Sequence, residues 1–139
     1  MKKSASKVLT KPVFVVTAGL IFNDEKFLIT QRPDNDPFAG KWEFPGGKKR
    51  DDETLEDCLA REIREELNIQ IDVQELLTKI QHEYLNFFIQ LHVFRCRHIS
   101  GTPQPDQNQQ WKWITKKELP DFDFLDADRV AIEKLGWQN

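Results

Sequence analysis

The stretch from residue 54 to residue 67 constrains the fold more than any other part of the chain. Its apolar residues recur at every fourth position, which places them on one stripe of an α-helix: Leu55, Leu59, Ile63 and Leu67. Thr54 and Asp57 resemble a capping box in which aspartate takes the usual place of glutamate or glutamine. Asn68 comes next, and asparagine tolerates the left-handed conformation that ends helices. The pattern predicts a helix with one buried face.

Much of the remaining chain has the β-branched and aromatic character of strands. The predicted strands are residues 13–22, 26–31, 71–82, 87–97 and 111–114, with a short extended piece at 42–44. Proline-rich and polar stretches at 33–40 and 101–110 are predicted as loops, and a final helix is predicted over 127–135. Strands with one central and one terminal helix indicate a small α/β sandwich.

Length and charge limit the classes of function. The 139 residues fit one domain over 1–139, in which 1–11 is predicted to be a flexible N-terminal extension. A net charge of −3 gives no positive field to hold a nucleic-acid duplex, which favours a small-molecule ligand. We expect no membrane span and no signal peptide, because no apolar run is long enough. Cys58 and Cys96 are predicted to be small buried hydrophobes, which suits a cytoplasmic protein.

Three carboxylates crowd one face of the predicted central helix. Glu62, Glu65 and Glu66 stand at i, i+3 and i+4, so their charges repel one another unless a divalent cation lies between them. Oxygen ligands with room for water and phosphate are typical of a Mg²⁺ or Mn²⁺ site. The alternative is a solvated acidic face that is balanced by Arg61 and Arg64.

The loop before this helix favours the metal site. Gly46 and Gly47 allow close approach of the backbone, and a helix N-terminus favours bound phosphate. From Gly47 the sequence has the pattern Gly-x5-Glu-x7-Arg-Glu-Ile-x-Glu-Glu-x-Asn-Ile, which resembles the Nudix box. The family pattern has glycine where this chain has Asn68. Because asparagine best replaces glycine in a left-handed helix cap, we expect the loop–helix–loop to be retained.

The similarity extends over roughly residues 13–135. The segment from Glu43 to Lys48, the strand that ends at Arg32, and the C-terminal pattern Phe124-x3-Asp128 resemble the MutT-type subgroup of nucleoside triphosphate pyrophosphohydrolases. The resemblance implies an α/β (α+β) fold of the Nudix type: an α/β/α sandwich with a mixed central sheet, a catalytic loop–helix–loop and a C-terminal helix.

The resemblance also implies roles for the residues of the box. Glu62, Glu65 and Glu66 would bind the essential Mg²⁺, with Mn²⁺ as a substitute, and the carbonyl of Gly46 or Gly47 would add a ligand. Glu53 would pair with Arg61 to orient the helix, or would help to activate water. The predicted catalytic residues are Glu53, Arg61, Glu62 and Glu65. Which glutamate is the general base stays open.

Further residues are candidates for binding the triphosphate and the metal. Arg32 and Lys48 would grip the phosphates, with surface ion pairs as the alternative. Lys112 stands where this subgroup has an acidic residue before a tryptophan, so Glu83 and Asp106 are considered as replacement ligands.

Three residues are predicted to contact the base: Phe44, Tyr84 and Asp128. Core packing is the alternative for the two aromatic residues, and a helix N-cap is the alternative for Asp128 or Asp126. An ionised aspartate only accepts hydrogen bonds. It suits the amine of cytosine or the N7–H of 8-oxoguanine, and it repels the O6 of guanine unless it is protonated.

These features favour a Mg²⁺-dependent enzyme that converts 8-oxo-dGTP to 8-oxo-dGMP and pyrophosphate and so cleans the nucleotide pool. The closest alternative is a CTP or dCTP pyrophosphohydrolase. Removal of pyrophosphate from the 5′ end of RNA is disfavoured by the acidic charge balance, and a non-catalytic base-binding module by the complete set of glutamates. The expected partner is a small-molecule nucleoside triphosphate, and the sequence leaves monomer and homodimer open.

Overall fold

A computed structural model describes residues 11–106 and 109–137. The predicted N-terminal extension lies outside the described residues, apart from Lys11. The strands are β1 (Val13–Asn23), β2 (Lys26–Gln31), β3 (Trp42–Glu43), β4 (Gly46–Lys48), β5 (Gln70–Glu83), β6 (Phe88–Ser100) and β7 (Trp111–Ile114). The helices are α1 (Leu55–Leu67), a 3₁₀ helix (Lys116–Asp121) and α2 (Asp126–Lys134).

The strands form one mixed sheet. The order along its main path is β3-β2-β1-β6-β5, with β4 paired to β1 and β7 paired to β2. β1 and β6 run parallel over ten residue pairs, whereas the other pairs are antiparallel. β1 therefore has two partners on one edge, because β4 pairs near Thr17 and β2 pairs near Phe22. This divergence brings the Pro45-Gly46-Gly47 segment against the middle of β1.

Each face of the sheet is covered by one helix. On β1, Leu20 points into the core beneath α2 and Ile21 into the core beneath α1, as the alternation of a strand requires. The predicted stripe of α1 is buried against the second core, where Leu59 and Ile63 have no exposed surface. The predicted α/β/α sandwich with a mixed sheet is confirmed.

The caps of α1 follow the sequence signals. Thr54 is the N-cap and accepts a hydrogen bond from the Asp57 N–H at 3.1 Å. Only this half of the predicted capping box forms, since the hydrogen bonds of the described residues include no return bond from the Thr54 N–H to the Asp57 carboxylate. Asn68 has φ 55° and ψ 37°, and its N–H donates to the Arg64 carbonyl. The left-handed asparagine thus closes the helix in the position where the family pattern has glycine.

Element boundaries differ slightly from prediction. β5 extends to Glu83 because the tight turn to β6 is closed by the Tyr84 N–H on the Phe87 carbonyl at 2.8 Å. β6 extends to Ser100 because its last residue pairs with Gln70 at the start of β5. Cys58 and Cys96 are buried free thiols, as predicted. Among the described residues, neither helix has the length and apolar character needed to cross a membrane.

Candidate active site

A cavity of about 520 Å³ opens between the β3–β4 segment, α1 and the first turn of α2. The turn between β5 and β6 and the loop after β2 complete its wall. It brings together eight of the residues predicted from the sequence: Arg32, Phe44, Gly46, Lys48, Glu62, Glu66, Tyr84 and Asp128. Three other predicted residues, Glu53, Arg61 and Glu65, do not line it.

The two glycines let three backbone segments approach closely. A Cβ atom on Gly46 would lie 1.9 Å from the Thr17 carbonyl oxygen of β1. A Cβ atom on Gly47 would lie 2.2 Å from Oε2 of Glu62 on α1. The absence of both side chains therefore permits β1, β4 and α1 to pack against one another at this point.

The carbonyl groups of the two glycines point in different directions. Gly19 donates to the Pro45 carbonyl and Lys49 donates to the Val15 carbonyl. Because bonded and non-bonded pairs alternate in an antiparallel ladder, Gly47 opposite Thr17 is a bonded pair and Gly46 opposite Ala18 is not. The Thr17 hydroxyl also donates to the Gly47 carbonyl, at 3.4 Å. The Gly46 carbonyl therefore points away from β1.

Glu53 and Arg61 form an ion pair beside the cavity. Nε and Nη2 of Arg61 donate to the two carboxylate oxygens of Glu53 at 2.9 and 2.6 Å, which is the bidentate geometry of a strong pair. The Arg50 N–H donates to the same carboxylate at 2.9 Å. Arg61 first, and then Arg50, lower the pKa of Glu53 to about 2. With its side chain only 11% exposed, Glu53 is placed to orient the loop and the helix.

The three box glutamates do not converge on one point. Arg61 Nη1 binds Oε1 of Glu62 at 2.8 Å and Oε1 of Glu65 at 3.1 Å. Glu65 is 52% exposed and lies 3.9 Å from Arg50. Glu62 and Glu66 instead face the cavity. Within residues 11–106 and 109–137, no three His, Cys, Asp or Glu side chains are arranged to hold a metal ion.

Glu66 shows the cost of crowding carboxylates without a cation. The side chain as a whole is exposed, but its carboxyl group is partly desolvated by the cavity wall and lies near Glu62 and Glu43. Desolvation first, and then the two neighbouring carboxylates, raise its pKa to about 8. A divalent cation would remove this repulsion. The donor set of Glu62, Glu66 and the Gly46 carbonyl, all oxygen atoms, fits such a hard ion.

Glu43 is a cavity residue that the sequence analysis did not assign. It precedes the Phe-Pro-Gly-Gly turn, and Arg32 Nη1 donates to it at 3.2 Å. Burial raises the pKa of Glu43, and Arg32 opposes the shift. A carboxylate in a short extended segment beside the glycines was the only available signal in the sequence.

The side chains of the two candidate phosphate ligands, Arg32 and Lys48, differ in how firmly they are held. Arg32 is held by Asp36 and Glu43, and Asp36 also accepts the Phe38 N–H at 2.8 Å. Arg32 thus ties the loop after β2 to β3. Lys48 is exposed, and its Nζ lies 4.1 Å from the centre of the Phe14 ring, a contact that a phosphate can replace.

The predicted base contacts occupy different depths. Phe44 is 2% exposed and packs on Phe27 and Phe124, although one surface lines the cavity. Asp128 is 4% exposed and lies near the backbone N–H of Phe44. Burial raises the pKa of Asp128 well above its usual value, and the nearby Glu43 adds to the shift.

The alternative of an N-cap aspartate is wrong. Leu125 is the N-cap of α2 and makes no side-chain capping bond.

Two aromatic residues near the start of β3 differ in their surroundings. Phe38 lines the cavity, whereas Trp42 packs on Phe122.

Neither suggested replacement ligand lines the cavity. Glu83 pairs with Lys11 at the surface, and Asp106 is also absent from the lining. Glu43 is the additional carboxylate that the fold brings to Glu62 and Glu66.

Comparisons with known proteins agree with this geometry. A model of the NUDIX domain family matches residues 17–134. A CTP pyrophosphohydrolase of Escherichia coli K12 is 36% identical over 118 residues, which cover 85% of this chain and 87% of the relative. An 8-oxo-dGTP diphosphatase of Haemophilus influenzae is 32% identical over 128 residues, covering 91% and 94%.

A solved structure of similar fold agrees with these sequence relatives. The MutT protein of Methanosarcina mazei Go1 superposes with a TM-score of 0.82 at 26% identity, over 93% of this chain and 96% of that one. The chain belongs to the NUDIX domain family and is a hydrolase that acts on phosphoanhydride bonds.

Proposed function

We propose that this hydrolase is a Mg²⁺-dependent nucleoside triphosphate pyrophosphohydrolase that prefers 8-oxo-dGTP and releases 8-oxo-dGMP and pyrophosphate. The observation that carries the proposal is one cavity that combines two kinds of wall. Glu62, Glu66 and the Gly46 carbonyl provide oxygen atoms for a cation, and an aromatic wall leads to the buried carboxyl of Asp128. One nucleotide can contact both parts.

The residues of the box would position the triphosphate for hydrolysis. A bound divalent cation supplies charge neutralisation and lowers the pKa of water. Glu62 and Glu66, with the Gly46 carbonyl, would hold it. Arg61 keeps Glu62 oriented through the 2.8 Å contact and anchors the loop through Glu53. Lys48, at the exposed rim, would contact the phosphates.

Asp128 would read the base as a neutral acid. Its raised pKa favours the protonated form, which both donates and accepts hydrogen bonds. A neutral Asp128 can accept from the N7–H of 8-oxoguanine and donate to its O6. Unmodified guanine has a lone pair at N7, which repels the accepting oxygen. Protonation thus removes the repulsion between the carboxylate and O6 and leaves a preference for the oxidised base.

CTP or dCTP is the second candidate substrate. The same neutral acid can donate to N3 of cytosine and accept from its exocyclic amine. The E. coli relative at 36% identity is named for CTP hydrolysis, so this activity is tested directly against the first.

The deciding experiment is pyrophosphate release from 8-oxo-dGTP, dGTP, CTP and dCTP, with Mg²⁺ and with chelator. We expect metal-dependent release with the highest kcat/KM for 8-oxo-dGTP. A higher kcat/KM for CTP or dCTP would move the function to the second candidate. No release from any of the four would contradict both, and triphosphorylated RNA would then be tested.

Variants of Asp128 distinguish a role in recognising the base from a role in maintaining the structure. Asp128→Asn keeps one donor and one acceptor, so we expect the preference for 8-oxo-dGTP over dGTP to persist. Asp128→Ala removes both and should lower that preference by about 10- to 100-fold, the usual worth of a bidentate base contact. The measurement is the ratio of the two kcat/KM values. Equal slowing of every nucleotide in Asp128→Ala would indicate a structural role.

Binding of 8-oxo-dGTP should depend on the protonation of Asp128. Because burial raises the pKa of Asp128 well above its usual value, the neutral acid persists to a higher pH than in an ordinary aspartic acid and is lost as pH rises through the folded-state pKa. The ionised carboxylate cannot donate to O6 of 8-oxoguanine, so the KM for 8-oxo-dGTP should rise with pH in the parent enzyme and change less in Asp128→Asn. The same pH dependence of KM in both proteins would contradict the neutral-acid assignment.

A further inference from the structure

The hydroxyl of Tyr84 links the end of β5 to the first turn of α2. The Ala127 N–H donates to Tyr84 Oη at 3.2 Å, across 43 residues of sequence. Both residues line the cavity, and Asp128 follows Ala127 directly. Tyr84 is the only tyrosine in the chain, so no other tyrosine could replace it as the acceptor of this hydrogen bond.

The hydrogen bond serves a helix start that lacks a local cap. The first N–H groups of a helix have no partner within the helix. Leu125, the N-cap of α2, offers no side-chain acceptor. Ala127 is 5% exposed, so its N–H depends on Tyr84. Without the hydroxyl, a buried donor would remain unpaired.

The ring of Tyr84 is held in place by other aromatic rings. Its centre lies 5.4 Å from that of Phe38, 4.8 Å from that of His82 and 5.1 Å from that of Phe87. These contacts leave the ring little freedom to move. The position of the hydroxyl is therefore set by the cavity wall, and α2 is docked against that wall through Ala127.

We propose that Tyr84 is a positioning residue for base selection, whose hydroxyl fixes the first turn of α2 so that Asp128 meets the base at a set distance from the aromatic wall. One long-range hydrogen bond then holds the backbone of this turn, from the Ala127 N–H to Tyr84 Oη. The inference rests on the proposed function, because it requires Asp128 to read the base.

The test is Tyr84→Phe, which keeps the ring and removes only the hydroxyl. We expect the ratio of kcat/KM for 8-oxo-dGTP over dGTP to fall roughly three- to tenfold, the range that one neutral hydrogen bond commonly spans. The fall should come mainly from a higher KM for 8-oxo-dGTP, with kcat little changed, because the metal-binding residues are untouched. In an Asp128→Ala background, Tyr84→Phe should cause no further fall.

A matched control removes a hydroxyl outside the cavity. Thr115→Val deletes the bond between Thr115 Oγ1 and Glu118 at 3.1 Å, and should lower Tm without changing the ratio. An unchanged ratio in Tyr84→Phe, with a lowered ratio in Asp128→Ala, would overturn this inference alone. An unchanged ratio in Asp128→Ala would overturn the base assignment as well. An additional fall in the double variant would show that Tyr84 acts independently of Asp128, which also contradicts the inference.

Discussion

Glu66→Gln should lower kcat by about 10³-fold or more while the protein stays folded. A bound metal ion stabilises transition-state charge by several kcal/mol, and each 1.4 kcal/mol is about a factor of ten in rate. Glu66 would be one of the ligands that hold this ion in place. Glutamine has nearly the same shape but only a neutral oxygen to offer. The measurement is steady-state hydrolysis of 8-oxo-dGTP and CTP at saturating Mg²⁺, with Mn²⁺ affinity measured by calorimetry.

The same substitution should not destabilise the metal-free protein. The pKa of Glu66 is raised from 4.5 to about 8, so the folded state holds a proton that the unfolded state releases. Stability of the parent therefore falls as pH rises between these two values and is level above the higher one. Because glutamine does not titrate, metal-free Glu66→Gln should have a Tm at pH 8 no lower than that of the parent.

Two other glutamates on α1 are useful comparisons. Glu56 is exposed and outside the cavity, so Glu56→Gln should retain the parent kcat. Glu65 pairs with Arg61 and Arg50 and does not line the cavity, so Glu65→Gln should cost less than Glu66→Gln. Near-parent turnover in Glu66→Gln would contradict the assignment of Glu66 as a metal ligand.

Local patterns in the sequence predicted α1 and its caps well. The apolar stripe, Thr54 and Asn68 each act within a few residues of their own positions, so periodicity and capping chemistry suffice. The same spacing placed Glu62, Glu65 and Glu66 on one face. It could not show that Arg61, one turn before Glu65, draws that carboxylate away from the cavity while Glu66 turns towards it.

Contacts distant in sequence could not be predicted in this way. Glu43 approaches Glu66 only because β3 pairs with β2 beside α1, and Tyr84 reaches Ala127 only because β5 ends next to α2. The parallel pairing of β1 with β6 joins strands that are separated by about half of the chain, as in the pair of Val13 with Phe88. Such contacts depend on the closed fold and leave no periodic pattern in the sequence.

Replacing each of the two adjacent glycines with alanine should affect different properties: Gly46→Ala should mainly lower stability, and Gly47→Ala should mainly lower kcat. In Gly46→Ala the Cβ would meet the Thr17 carbonyl oxygen at 1.9 Å and the Ala18 Cα at 2.8 Å. Both are backbone atoms, so β1 and β4 must separate. We expect a loss of unfolding free energy at or above the top of the about 1–3 kcal/mol range for overpacking. Urea unfolding measures it.

In Gly47→Ala the three atoms nearest to the Cβ would all belong to the Glu62 side chain, with Oε2 at 2.2 Å. A side chain can rotate, so the fold should persist while Glu62 leaves both the cavity and Arg61, and kcat should fall more than Tm. Gly136→Ala is the control, because Gly136 has φ 70° and open space around it. It should cost about 1–2 kcal/mol from backbone strain alone and keep the parent kcat. Full activity in Gly47→Ala would mean that hydrolysis does not require Glu62 in its observed position, whereas parent-like stability in Gly46→Ala would contradict the close packing of β4 on β1.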